Sequence, residues 1–461
     1  MRQVKTAMDP AAQPHDLSVR PLRAFALRVL AYGRRLWSQP DVRWVVFLFL
    51  LALVLRTVWA IYTDRPPRGF NDPVLYDFFA AQIKEGNGYS RLDGTPTAYY
   101  PVGYPAALSA VYFVFGHSIL AAKLFNAVLG AVTVVLLFEL ARRLFDSRAA
   151  RAAGLLLAVF PGQIFYTGTI LGEVLFTMLL VGALLLLLAA PWDAGRVGLG
   201  RLALFGLIMG AATLVRSITL LLPLLLLVFW LFTSRRVGRS LLQAGVVTLA
   251  MAVFVVPWSV RSSIRMETPV LISLNAGDNL CMGNHEGAPG HFTLTDKCFA
   301  DDQPGDSRTL EVERNRENIE KGVTFISENP LEAARIVLRK AYYLFYRDSG
   351  GLFATESYGN DPFIPTFRRE VLADVADGFY FVAGAYAALG VGLWLFRPEP
   401  RRTLLLLSTA YVAAVPLIFF GDPRFHFPVI PLACVLAGSA MAAVWQRARA
   451  GAPGLVWVTQ A

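Results

Sequence analysis

Long uninterrupted apolar runs recur along this chain, and they limit its fold before any other feature does. A run of about 20 apolar residues crosses the hydrocarbon core of a bilayer as a helix, because a helix satisfies its own backbone hydrogen bonds. The runs lie at 45–62, 118–140, 152–166, 171–189, 202–215, 218–232, 241–258, 379–396, 403–420 and 427–444. Hydrophobic residues make up 55% of the sequence and charged residues only 16%, against roughly 25% in a soluble domain. The expected fold class is therefore an all-α polytopic membrane protein with about ten transmembrane helices.

The net charge of +10 does not point to nucleic acid, because the basic residues sit in short segments between the apolar runs. That is where orientation signals lie. The leader carries Arg20, Arg23, Arg28, Arg34 and Arg35 but has no signal-peptide cleavage pattern, so the first run reads as a retained span. With the N-terminus inside, the inner connections fall at 142–151, 192–201, 233–240, 397–402 and after 445, and each holds two or more arginines. The short outer turns hold none near Gly168, one at Arg216 and one at Arg424. Both termini are thus expected in the cytoplasm. The layout is a basic cytoplasmic tail (1–44), a transmembrane domain (45–445) and a second cytoplasmic tail (446–461). Two loops, 63–117 and 259–378, emerge on the outer side. In these loops Gly103–Phe115 and Leu331–Phe345 read as amphipathic helices at the membrane interface.

Ionisable residues are scarce inside the spans: Arg56, Lys123 and Glu139 stand out. An ion-coupled transporter needs carboxylates or a proton relay deep in the bundle. Here the acids gather at the outer ends of the spans instead, which points to chemistry at the membrane–water boundary. In the first loop, Asp72 and Pro73 read as the cap and first residue of a helix that Gly86 ends, with Asp72, Tyr76 and Ile83 on one face. A carboxylate at a helix N-terminus stays ionised near neutrality, so capping and catalysis as a base are both open to Asp72. The stretch Tyr99–Pro105 is rich in tyrosine and proline, and reads either as an interfacial aromatic belt or as a wall of a site. Glu173 opens the fourth span with apolar flanks, so it is expected to face the bundle. Arg424 follows Asp422-Pro423 in the last outer turn, at the positive end of a helix dipole. Three partners fit it there: a substrate phosphate, Asp422, or a phospholipid head.

Four stretches together resemble the family 39 type of glycosyltransferase, of the fold class called GT-C, which includes protein O-mannosyltransferases and the lipid A aminoarabinose transferase. They are Asp72-x-x-x-Tyr76 with Gly86-x-Gly88-Tyr89, then Tyr100-Pro101-x-Gly103-Tyr104-Pro105, then the Pro161…Glu173 pair. The last is Pro257-Trp258-x-x-Arg261 running into Asn275-x-Gly277-x-Asn279-Leu280-x-x-Gly283-Asn284. The likeness extends from about Val45 to Val444. Many protein mannosyltransferases have an adjacent acidic pair in the first loop, where this chain has Asn71-Asp72, and no soluble C-terminal domain follows the last span.

The resemblance implies a glycosyltransferase (class EC 2.4) that moves a sugar from a polyprenyl-phosphate donor to a lipid, glycan or protein acceptor. The reaction would take place on the periplasmic face of a bacterial inner membrane. Deprotonating an acceptor hydroxyl needs a base, and the departing phosphate needs cations. Asp72 is the expected base. Substrate contacts are expected from Tyr76, Tyr100, Glu173, Arg216, Arg261, Asn279, Lys340, Arg424 and His426, with Lys340 alternatively snorkelling from an interfacial helix. No cofactor and no bound metal are expected, since no His/Cys cluster is evident. A transporter or flippase for a lipid-linked substrate is the alternative, because it too would need outer-face cations. Cys281 and Cys298, 17 positions apart in the long outer loop, are expected to pair as a disulfide, two free thiols being the other outcome.

Overall fold

The computed structural model describes residues 39–189, 197–299, 307–395 and 399–449. The leader through residue 38, the segments 190–196, 300–306 and 396–398, and the tail from 450 lie outside the described residues. With them go most of the two expected cytoplasmic tails and parts of two inner connections. By internal packing the chain divides after Phe47. The described residues before that point are Gln39 and the start of the helix Pro40–Tyr62.

Every one of the ten apolar runs is helical. Among the described residues, seven helices are long and apolar enough to cross a membrane: Pro40–Tyr62, Ile119–Leu144, Ser217–Ser234, Val237–Met266, Thr366–Leu395, Pro400–Phe419 and Val429–Arg449. A bent pair, Ser147–Ala158 with Pro161–Gly168, at 55° to each other, is an eighth apolar segment, either one broken span or a re-entrant loop. Phe160, at the break, is extended because the residue before a proline is pushed out of the helical region. The fourth and fifth runs form shorter helices, Glu173–Leu188 and Leu199–Val215. Several helices overrun the expected bounds: the first begins at Pro40 rather than 45, and the last continues to Arg449. Val237–Met266 and Thr366–Leu395 trim the long outer loop from both sides.

Lipid tails give little hydrophobic drive to helix pairing, so close backbone approach carries the association. Leu199–Val215 lies against Val237–Met266 through Gly206 and Gly210. A Cβ on either would come within 2.6 Å of Val247 O or 2.7 Å of Met251 O. Two buried cations do similar work at helix ends. Arg56 donates to Leu157 O (3.0 Å) and Ala158 O (2.9 Å), the carbonyl end of the helix that stops at the bend. Lys123 donates to Thr63 O and to Arg65 O (3.2 Å), just beyond the first span. Both charges therefore sit on carbonyls at negative helix ends or chain turns.

The two long loops, 63–117 and 259–378, are ordered by polar ties. Their helices are Asp72–Glu85, Gly103–Phe115, Ala276–Gly283, Ser307–Glu328, Pro330–Phe345 and Gly350–Thr355. Glu311, buried, accepts from Arg91 (2.6 Å), Thr97 (2.8 Å) and Ala98 N (2.9 Å), which fastens the long loop to the first one. Cys281 and Cys298 are joined by a disulfide, their Cα atoms 5.9 Å apart. It packs with Met282 and Phe420 and against Phe419 and Phe425, so it lies directly beneath the turn that carries Arg424. On Pro330–Phe345, Leu331, Leu338 and Tyr342 are exposed while Ile336, Lys340 and Leu344 are buried.

Candidate active site

The cap of the helix Asp72–Glu85 is not Asp72 but Asn71, whose side chain accepts from Val74 N at 3.4 Å. This one-residue correction matters, because it leaves the Asp72 carboxylate free to turn elsewhere. Oδ1 accepts from the Tyr100 hydroxyl at 2.7 Å, and Oδ2 accepts from Arg424 Nη1. Asp422, in turn, caps its own short helix by accepting from Arg424 N at 2.8 Å. The Arg424 side chain is thereby aimed away from Asp422 and toward Asp72.

Glu173 completes the arrangement. It opens its helix, is wholly buried, and receives both Arg424 Nε and Arg216 Nη2 on Oε1. Its second oxygen, Oε2, is buried without a hydrogen-bond partner. Two carboxylates and two guanidiniums from four separate chain segments thus meet beneath the two long loops. Tyr76 packs edge-on against Tyr100 (5.3 Å between ring centres) and Tyr104 (5.7 Å), forming an aromatic wall beside Asp72. Tyr104 and Asn126 exchange a hydrogen bond of 3.0 Å, and Asn126 also holds Thr169 O at 2.9 Å.

Electrostatics fix the charge states. Burial pushes the Asp72 carboxyl up, but the charge and N–H of Arg424, the Tyr100 hydroxyl and the charge of Arg216 outweigh it. They hold Asp72 below the usual carboxylate range. Burial works against the charge of Arg424, while Glu173, Tyr358 and Asp72 hold that charge in place. The positive charge between the two carboxylates is thus supplied by a side chain of this protein.

One residue absent from the sequence expectations joins the group. Tyr358 has a left-handed backbone (φ 56°) in the turn Ser357–Gly359, an uncommon conformation for a non-glycine residue. Its hydroxyl is buried with no partner, within electrostatic range of Arg424, Asp72 and Glu173. The turn is held by Glu356, which accepts from Phe363 N (3.0 Å) and Ile364 N (2.9 Å) and binds Arg369. Asn71 reaches the same turn through Ser357 O, 3.3 Å. Nothing in the local sequence marks such a position, because its strain is imposed by these distant contacts.

The remaining expected site residues are placed elsewhere. Arg261 donates to Tyr89 O (2.9 Å) and Thr97 O (3.2 Å) and stacks over Trp258, so it braces the first outer loop. Lys340 neither snorkels nor meets the cluster. It is buried and donates to Asn284 Oδ1 (2.7 Å) and Ile418 O (3.3 Å). His426 is buried between Leu344 O and Asp348 (2.9 Å), turned from the cluster although it is two residues from Arg424. Asn279 lies on Ala276–Gly283, and among the described residues no hydrogen bond joins its side chain to the four charged groups.

The fold can now be given its class: the chain has the GT-C fold, in which a transmembrane helical bundle is topped by ordered loops. The family described as dolichyl-phosphate-mannose-protein mannosyltransferase matches residues 100–259. The apo oligosaccharyltransferase of Archaeoglobus fulgidus superposes with a TM-score of 0.54 at 16% identity, over 90% of this chain and 52% of that one. The oligosaccharyltransferase AglB of the same organism, in complex with an inhibitory peptide and a dolichol-phosphate, gives 0.52 at 15% identity over 92% and 53%. ArnT from Cupriavidus metallidurans, bound to undecaprenyl phosphate, gives 0.43 at 18% identity over 88% and 79%. The chain spans about half the length of the oligosaccharyltransferases. No curated protein sequence matches it.

Proposed function

We propose that this protein is a glycosyltransferase of the membrane's outer face, drawing a sugar from a polyprenyl-phosphate donor, with Asp72 as general base. The observation that carries this reading is the bridging of Asp72 and Glu173 by Arg424 at one end of the bundle. A carboxylate and a permanent cation side by side are what transfer from a lipid phosphate requires. The acceptor oxygen bonds to the anomeric carbon while its proton passes to Asp72. The bond from that carbon to the donor phosphate breaks, and the electron pair leaves with the phosphate. In this reading Arg424 and Arg216 would meet that departing charge.

The GT-C fold and the match to a mannosyltransferase family support the reading, as does a solved relative of this fold that holds a dolichol-phosphate. The arginine-rich connections support an orientation with cytoplasmic termini and the site facing the periplasm of a bacterial inner membrane. A transporter is favoured less, because Arg56 and Lys123 are engaged with backbone carbonyls rather than with acids of a relay. The test is incubation of the purified protein with radiolabelled polyprenyl-phosphate sugar and envelope extract. Transfer or hydrolysis by the wild type, lost in Asp72→Asn, supports the assignment. Vectorial movement of intact donor across vesicles, without either reaction, overturns it.

A further inference from the structure

Tyr100 donates its hydroxyl to Asp72, and Tyr99, the residue before it, donates its own to Asp278 Oδ2 at 2.7 Å. The two rings stand nearly perpendicular, 83° apart, with centres 4.8 Å from each other. Neighbouring side chains thus join the acid of the first loop to an acid of the second. Asp278 is 1% exposed, and a carboxyl so placed needs several donors. Its Oδ1 accepts from Asn318 Nδ2 at 2.8 Å, and Oδ2 also lies 3.5 Å from Arg314 Nε. The same Asn318 nitrogen binds Cys298 O at 3.0 Å, so Asp278 is tied to the bridged part of the second loop.

The backbone around the two tyrosines is held as well. Ala98 O accepts from Leu274 N at 2.8 Å, and Tyr100 O accepts from the Tyr89 hydroxyl at 3.1 Å. Pro101 narrows the backbone choices of Tyr100. With so little slack, a displacement of Tyr99 is passed to the Tyr100 ring, which supplies one of the two hydrogen bonds on the Asp72 carboxylate. A hydrogen bond to a carboxylate favours its charged form, so a loosened Tyr100 alters Asp72 itself. The other groups that act on Asp72 are Tyr76 on its own helix, Arg424 with Glu173, Arg216 and Tyr358. Among the described residues none of these is hydrogen-bonded to Tyr99 or Asp278, so cutting that link leaves their bonds in place.

We propose that Asp278, acting through Tyr99, is a positioning residue for Asp72: the second outer loop sets the Tyr100 hydroxyl on the base. This deepens the general-base reading above. The test reads Asp72 without turnover, by infrared difference titration of the full chain in detergent, with Asp72→Asn as the subtracted background. Tyr100→Phe is expected to raise the protonation midpoint of Asp72. Tyr99→Phe, which deletes a single oxygen remote from Asp72, should give about half of that rise or more, and Asp278→Leu the same. Arg314→Gln loosens the second loop but leaves both tyrosine hydroxyls bonded. It should lower the melting midpoint and leave Asp72 unchanged. In transfer assays, Tyr99→Phe should lower kcat about tenfold at an unchanged donor KM. An Asp72 midpoint equal to wild type in Tyr99→Phe overturns the inference, and so does an equal rise in Arg314→Gln. If Asp278→Leu fails to fold, Tyr99→Phe decides alone. Absence of transfer by the wild type sinks the general-base reading instead, and the infrared comparison still decides whether Asp278 positions Asp72.

Discussion

Arg424 lies against Asp72, its Nη1 donating to Oδ2, although 352 positions separate the two in the chain. The same guanidinium reaches Glu173 through Nε, so one side chain bridges two carboxylates from different elements. Asp72→Asn keeps the size of the side chain and its contact with Tyr100 but removes the base. Transfer should fall by a factor of about a hundred or more, with insertion and melting unchanged. Near-normal turnover in that variant would move the role of base to another acid.

The pH dependence follows from the same contact. Asp72 is held below the usual carboxylate range, so it stays ionised, and the wild-type acid limb of kcat/KM should lie below that range. Removing Arg424 takes away the charge and N–H that oppose burial. In Arg424→Gln the carboxyl should rise, and the acid limb should move toward neutral pH. A limb that stays in place in Arg424→Gln would show that Asp72 does not govern it.

Glu173→Gln should be worse for folding than Asp72→Asn. Glu173 is wholly buried and joins two arginines, and breaking a buried ion pair by losing one partner typically costs about 3–5 kcal/mol. A lowered melting midpoint in detergent, with Arg424 and Arg216 newly sensitive to anions, is the expected result. A midpoint equal to wild type would mean that the two guanidiniums find other acceptors.

Reduction of Cys281–Cys298 should lower both stability and activity. A closed loop of this size is worth about 3 kcal/mol in the chain-entropy model, for a sequence separation of 17. The bridge also packs against Phe419, Phe420 and Phe425, which flank Arg424. The Cys281→Ser/Cys298→Ser variant should therefore show a lower melting midpoint and a raised KM for donor. Full activity after reduction would separate the bridge from the site.

The apolar runs were legible because a membrane imposes one length and one composition on each span. The acids and arginines were legible singly, since a charge at the outer end of a hydrophobic helix needs a reason to be there. Their grouping was not, because the contacts of Arg424 with Asp72 and Glu173 cross most of the chain and leave no local pattern. The cap was misplaced by one residue because asparagine and aspartate cap almost equally well, and only the contacts of Asp72 with Tyr100 and Arg424 decide between them. Lys340 was read as a substrate contact, with snorkelling from an amphipathic interfacial helix as the alternative. Its partners Asn284 and Ile418 O come from elements 56 and 78 positions away, which no helical periodicity can reveal. Tyr358 gave no sign at all.

The bridging of Asp72 and Glu173 by Arg424 also sets an order of assembly. Asp72 and Glu173 are synthesised and inserted early, whereas Arg424 arrives only with the final pair of helices. The loop that receives it is made beforehand: Asn284 donates to Ile418 O at 2.9 Å, and Gly421 N donates to Gly290 O at 2.8 Å. Until the ribosome has delivered that last turn, the chain carries its acids without the cation between them. A polypeptide arrested before that turn would thus be a set of inserted helices with no working centre, and competence would appear in one step once the turn is delivered.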